Sequence, residues 1–242
     1  MPPFALARQT PSGLLKPVGR LAARQLFGAL TIDPFPFNSA TPMATTTIPF
    51  HIPKSLRVTD EQFLAFVEAN PELRLERTAI GELLVMPPTG SESGSYNSDL
   101  NVEVGLWNRQ QRSGKVFDSS TGFRLPNGAI RSPDLAWVAQ ARWNALTPEQ
   151  QSGFAPLCPD FVIELASKTD MLEDLRRKME EYLDNGCRLG WLIDPKTRTV
   201  EIYRPEFAVD RLPFDRTLSG ADILPEFTLN LEAIFPVRDQ PS

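Results

Sequence analysis

From residue 55 onward, apolar positions recur at spacings that switch between helical and strand periods. Thr59 and Asp60 precede apolar residues at Phe63, Phe66 and Val67, which predicts a short capped helix ending at Asn70-Pro71. Leu73–Thr78 and Glu82–Met86 flank Ala79-Ile80-Gly81 and predict a β-hairpin closed by the glycine, with Pro87-Pro88-Thr89-Gly90 stopping its second strand. Tyr96, Leu100, Val104 and Trp107 then form one apolar stripe on a helix, with Ser113-Gly114 as its C-terminal cap.

Strand-like runs follow at Lys115–Asp118, Gly122–Leu125 and, after the Pro126-Asn127-Gly128 turn, Asp134–Val138. A helical interlude over Ala141–Gln151 leads to Asp160–Leu165, a buried-looking strand whose interior charge is Glu164. Asp170 and Glu173 are spaced as a capping box for a helix whose Leu172, Leu175, Met179 and Tyr182 face inward, and Asn185-Gly186 ends it. Leu189–Asp194 and Thr199–Arg204 read as a hairpin around Pro195-Lys196-Thr197, with short strands and turns through Phe235. Strands enclosing two long amphipathic helices predict an α/β (α+β) fold, with a mixed central sheet flanked by helices.

The 242 residues are 41% apolar and 23% charged, enough for a sizeable core. Histidine occurs once, at His51, which excludes a multi-imidazole zinc site, an HExxH protease and an HNH nuclease. Catalysis, if present, then rests on carboxylates, lysine and a hard metal ion. Cys158 and Cys187 have no metal-ligand spacing and read as buried thiols, in keeping with a cytoplasmic protein. No apolar run reaches the ~18–20 residues of a membrane span. Residues 1–42 hold seven of the 23 prolines, lack a sustained period and carry a net +3, so that residues 43–242 carry −8 of the total −5. This predicts a disordered or leader segment before a single domain over 43–242, whose core spans about 55–235.

Three residues carry candidate chemistry. Asp134 follows a proline at a strand start, Glu164 interrupts an apolar strand, and Lys178 lies on the next helix, four residues after Asp174. A carboxylate in a buried strand needs a cation, a proton or several donors. Two readings stay open on spacing alone: Glu164 pairs with a lysine or arginine and does nothing else, or Asp134 and Glu164 together bind Mg²⁺, which uses few protein ligands. Asp174 and Lys178 likewise read either as an i, i+4 surface pair or as residues along one border of the apolar stripe.

Ser132-Pro133-Asp134 followed by Phe161-Val162-Ile163-Glu164 resembles the PD-(D/E)XK nuclease superfamily. The match extends through Glu76, Gly81-Glu82-Leu83 and Met86-Pro87-Pro88, then Arg131 to Leu135, Pro159 to Ser167, Asp174, Lys178, Tyr182, Gly186 and Trp191 to Pro195. Over that span the chain is similar to the Uma-two family of restriction-endonuclease-like proteins. The resemblance implies a restriction-endonuclease-like core with Asp134 and Glu164 as ligands of Mg²⁺ or Mn²⁺. The superfamily's lysine normally stands two residues past the glutamate, where this chain has Ala166. The resemblance assigns its role to Lys178, with Lys168 as a rival, and adds Glu76 and Asp174 as accessory carboxylates. The histidine that many members carry before the first long helix is missing from Ser91-Glu92-Ser93-Gly94.

The function so implied is a Mg²⁺-dependent DNA endonuclease acting as a homodimer. The alternatives are a non-catalytic DNA-binding or accessory module that keeps the fold, or a structural oligomerisation protein. Net acidity opposes a broad phosphate-binding face, although Arg124, Arg131, Arg176, Arg177 and Lys178 offer a local basic rim.

The composition of residues 1–42 generates a first prediction: truncation to Met43 leaves the melting temperature unchanged. A truncated protein melting several degrees lower would show that the leader packs on the domain.

Overall fold

The computed structural model describes residues 55–237, so the leader, Met43 and His51 lie outside the described residues. In chain order the elements are α1 (Asp60–Ala69), β1 (Arg74–Arg77), β2 (Leu83–Met86), α2 (Ser91–Gln111), β3 (Gly114–Asp118), β4 (Phe123–Arg124), β5 (Ile130–Arg131) and β6 (Leu135–Ala139). They continue with α3 (Gln140–Asn144), α4 (Pro148–Ser152), β7 (Phe161–Leu165), α5 (Leu172–Asp184), β8 (Leu189–Asp194), β9 (Thr199–Tyr203), β10 (Asp210–Pro213), β11 (Thr217–Ser219), β12 (Thr228–Asn230) and α6 (Leu231–Ile234).

A six-stranded sheet in the order β10-β9-β8-β7-β6-β3 forms the centre. It is mixed: β7 and β8 run parallel, joined through α5, and the other neighbours are antiparallel. Strand alternation assigns its two faces. Leu135, Trp137, Phe161, Ile163, Leu165, Trp191 and Ile193 pack with Leu100, Val104 and Trp107 of α2. The intervening Ala136, Val138, Val162 and Leu192 pack with Met179 and Tyr182 of α5. Glu164 stands between Ile163 and Leu165, so it projects to the α5 face.

A second sheet, in the order β2-β1-β5-β4, carries Leu75, Leu83 and Ile130 into a cluster with Val58 and Phe63. Thr59 closes a capping box on α1 with Gln62, as its position predicts. The β1–β2 hairpin turns at Gly81, whose φ of +86° suits glycine. Both cysteines are free and buried, and Trp107, Trp137 and Trp191 are core residues.

Four local expectations need correction. The Asp170/Glu173 capping box does not form: Met171 is the N-cap with no side-chain bond, while Asp170 turns back to accept from Ser167 N at 2.8 Å. The 141–151 interlude is two short helices, because Pro148 starts a new one under its own Thr147–Gln150 capping box. Gly122–Leu125 contributes β4, whose antiparallel partner across the Pro126-Asn127-Gly128 turn is β5, an element the sequence pattern did not reveal. The cap of α2 is Arg112, left-handed at φ 52°, while Gly114 lies inside β3.

Gly114 has a different reason to be glycine. A Cβ there would sit 2.3 Å from Val138 O and 2.5 Å from the Trp137 ring. Gly114→Ala is expected to lower stability by ~1–3 kcal/mol, because neither backbone nor packed indole can yield cheaply. An unchanged thermal melt would show that β3 shifts freely against β6.

Candidate active site

The antiparallel β6–β7 pairing ends with Leu135 opposite Ile163. Extending that register by one residue sets Asp134 opposite Glu164. Asp134 is tied there by Leu165 N, which donates to its Oδ2 at 2.9 Å, and by Asn97 Nδ2 of α2, which donates to its Oδ1 at 3.2 Å. The helical period of α5 sends Lys178 and Tyr182, four residues apart, toward the same sheet face. Lys178 Nζ lies 2.9 Å from Glu164 Oε1, and Tyr182 donates its hydroxyl proton to that same oxygen at 2.9 Å.

Glu76 comes from the second sheet. Its neighbours Leu75 and Arg77 face α1, so alternation turns Glu76 toward α5. Lys178 Nζ donates to Glu76 Oε1 at 2.9 Å, Ser132 N donates to the same oxygen at 2.9 Å, and Arg131 donates to Oε2 at 3.2 Å. Arg131 Nε also donates to Glu181 Oε2 at 2.6 Å, which ties β5 to α5. Glu76 and Glu164 are only 2% and 3% exposed, so this electrostatics runs in a largely water-free setting.

Burial acts on every titration here, and the neighbouring charges decide whether its direction prevails. Burial pushes the Glu164 carboxyl up against the pull of Lys178, and the nearby Asp134 and Glu76 carboxylates add to the rise, to about 7. Burial likewise raises Asp134, with only partial relief from Leu165 N, Lys178, Arg74 and Asn97. Glu76 goes the other way: burial opposes ionisation, but Lys178 and Arg131 outweigh it and hold the carboxyl below its usual range. Burial would discharge Lys178, yet Glu164 and Glu76 together keep it charged, above the ordinary lysine value.

Of the residues singled out from sequence, Asp134, Glu164, Lys178 and Glu76 come together. Asp174 does not: it is 64% exposed and pairs with Arg177. Lys168 is 88% exposed and pairs with Glu92 3.0 Å away. The expected basic rim is absent, because each of its cations is held by carboxylate. Arg124 is taken by Asp60, Arg131 by Glu76 and Glu181, Arg176 by Glu173 and Glu201, Arg177 by Asp174, and Lys178 by Glu76 and Glu164. Sequence reasoning gave Asn97 no role, and took Arg131, Ser132 and Tyr182 as part of the family match without placing them in the cluster. Nothing in the helical pattern marked Asn97.

Among the described residues, no three His, Cys, Asp or Glu side chains form a metal-binding group by themselves. The candidate donors are two carboxylates, Asp134 and Glu164, and Asp134 has no ion-pair partner among the described residues. An all-oxygen pair of this kind fits Mg²⁺, which binds through one or two carboxylates and keeps most of its waters.

A family model described as "putative restriction endonuclease", Uma2, matches residues 60–232. No curated protein sequence matches the chain significantly. The fold is similar to the crystal structure of a protein described as a putative nuclease belonging to DUF820, from Anabaena variabilis ATCC 29413, with a TM-score of 0.63. The two chains are 21% identical, and the match covers 74% of this chain and 97% of that one. No helix among the described residues is long and apolar enough to cross a membrane.

The raised Glu164 carboxyl sets a pH dependence for the metal-free protein. Its folded value of about 7 lies above the ordinary 4.5, so its contribution to stability is full below about pH 4.5 and is lost as pH rises through about 7. In EDTA, wild type is expected to lose up to ~3 kcal/mol relative to Glu164→Gln across that window. Chemical denaturation of both proteins at pH 5 and pH 8 measures the difference. A gap that does not change with pH would show that Glu164 ionises as in the unfolded chain.

Proposed function

The chain belongs to the Uma2 family, and on that footing we propose that it is a Mg²⁺-dependent DNA endonuclease whose site is Asp134, Glu164 and Lys178. The observation that carries this reading is the surplus of buried negative charge around one lysine. Three carboxylates meet at the start of β6 and the end of β7, Lys178 and Arg131 offset Glu76, and among the described residues Asp134 has no ion pair. A divalent cation between Asp134 and Glu164 relieves both the unpaired Asp134 and the raised Glu164. When bound, such a cation polarises the scissile phosphate and lowers the pKa of a bound water.

The protein's own groups do the positioning. Asn97 and Leu165 N fix the two oxygens of Asp134 in direction, and Tyr182 fixes Oε1 of Glu164. Glu76, held by Arg131 and Ser132 N, keeps Lys178 charged and beside the site. The Lys178 ammonium donates to the attacking water or to phosphate oxygen as negative charge develops there. Cutting both strands of a duplex takes two such sites, which a homodimer supplies by symmetry. Asp174, exposed and paired with Arg177, stands outside the cluster.

Mn²⁺ titration beside a plasmid-cleavage assay in Mg²⁺ or Mn²⁺ tests the reading. Wild type is expected to bind Mn²⁺ and nick DNA, and Asp134→Asn to lose both while its metal-free stability stays equal or rises. Lys178→Ala is expected to retain Mn²⁺ binding with a slowed rate. It should also lose ~3–5 kcal/mol of stability in EDTA, because Glu76 and Glu164 are then buried without their lysine. Mn²⁺ bound at Asp134 with no cleavage of any DNA would favour the accessory-module reading. No Mn²⁺ binding at all would overturn the nuclease site.

A further inference from the structure

Two buried side-chain atoms in the surroundings of Asp134 have no hydrogen-bond partner: Asn97 Oδ1, an acceptor, and Arg74 Nε, a donor. Buried polar atoms are rarely left so, because nothing replaces the water they have lost. Asn97 Nδ2 already donates to Asp134 Oδ1 at 3.2 Å, and this fixes the amide. Turned over, its oxygen would face the carboxylate, so Oδ1 is the atom left pointing elsewhere.

Arg74 stands two residues before Glu76 in β1, and alternate side chains of a strand share a face. Arg74 therefore lies on the face from which Glu76 reaches Lys178, while Leu75 between them enters the cluster with Phe63 and Ile130. Its charge acts on Asp134, where it is one of the groups opposing the effect of burial. Arg131 and Lys178 are each held by two carboxylates. Arg74 has no carboxylate in ion-pairing range among the described residues. Among the described residues, it is the cation around the site that no carboxylate holds.

Resting on the nuclease reading above, we propose that these two atoms face the substrate complex: Asn97 Oδ1 gives the cation at Asp134 and Glu164 a third, neutral oxygen, and Arg74 Nε donates to a DNA phosphate. An amide oxygen is a hard ligand of the kind Mg²⁺ accepts. A guanidinium N–H to a phosphate oxygen is a charge-assisted bond that a carboxylate-lined site needs if DNA is to approach. The two unpaired atoms have opposite polarity, and a cation with its phosphate satisfies both at once.

The test crosses two measurements on the full chain, with circular dichroism to verify folding. The first is Mn²⁺ affinity, and the second is binding of a short DNA duplex in Ca²⁺ over a range of salt. Asn97→Ala is expected to weaken Mn²⁺ affinity about tenfold, and Asn97→Asp to strengthen it by adding a second charge beside Asp134. Arg74→Gln should leave Mn²⁺ affinity unchanged or tighter, since a repelling cation is gone. It should nonetheless weaken duplex binding about tenfold and lower the salt dependence by about one phosphate contact. Arg74→Lys should keep most of the duplex affinity. If wild type binds Mn²⁺ but the Asn97 and Arg74 variants match it in both measurements, this inference is wrong and the nuclease reading stands. If wild type binds no Mn²⁺, both fall together.

Discussion

Lys178 carries its ammonium into a space that water scarcely enters, 2.9 Å from both Glu76 and Glu164. Each carboxylate comes from a different sheet, and the lysine comes from the helix that links β7 to β8. The contact therefore joins the small sheet to the large one through charge, beside the apolar packing of Phe123 against the α5 face of the large sheet. Its effect is unequal. Glu76 has a second cation in Arg131 and a backbone donor in Ser132, so it stays fully ionised, whereas Glu164 shares Lys178 and faces two like charges. One lysine cannot compensate both equally, and the deficit falls on the carboxylate that faces Asp134.

The remaining architecture serves to hold that deficit in place. Trp137, Phe161, Trp191 and the α2 stripe fill one face of the central sheet with apolar contacts, while the Trp107 and Trp137 indoles donate to Pro225 O and Asn108. On the other face, Met179 and Tyr182 of α5 press on Val162 and Leu192, and Glu164 is fixed between them by the pleat. A one-residue slip of β7 would send Glu164 to the α2 side, among tryptophans and away from Lys178 and Tyr182. Antiparallel pairing with β6 and parallel pairing with β8 make that slip doubly costly. The buried charge can thus persist because packing on both sides over-determines the strand.

Much of this was legible before any coordinates. Alternation in Phe161–Leu165 exposed Glu164 as an anomaly, and the stripe on α5 placed Lys178 at the border of its apolar face. Pairing was less legible. That Asp134 opposes Glu164 follows from a register 30 residues apart in sequence, which local patterns do not encode. Arg131 looked like a free basic residue because its partners, Glu76 and Glu181, are about 50 positions away on either side. The false capping box at Asp170 has a different origin: the spacing was right, but the carboxylate found a local donor in Ser167, three residues back. Non-local partners decided the other two outcomes.

Charge balance bears directly on how such a site meets DNA. Residues 43–242 are acidic by −8, and Arg124, Arg131, Arg176, Arg177 and Lys178 are already held by carboxylates. A surface of this kind gains little from counterion release, the usual source of non-specific affinity for a polyanion. On the proposed reading, a divalent cation at Asp134 would add positive charge beside the carboxylates and so lower the cost of a phosphate approaching them. Metal and nucleic acid would then bind with positive linkage, each lowering the electrostatic cost of the other. An acidic domain with a carboxylate cluster is for that reason compatible with a phosphodiesterase whose cation would admit the substrate as well as activate it.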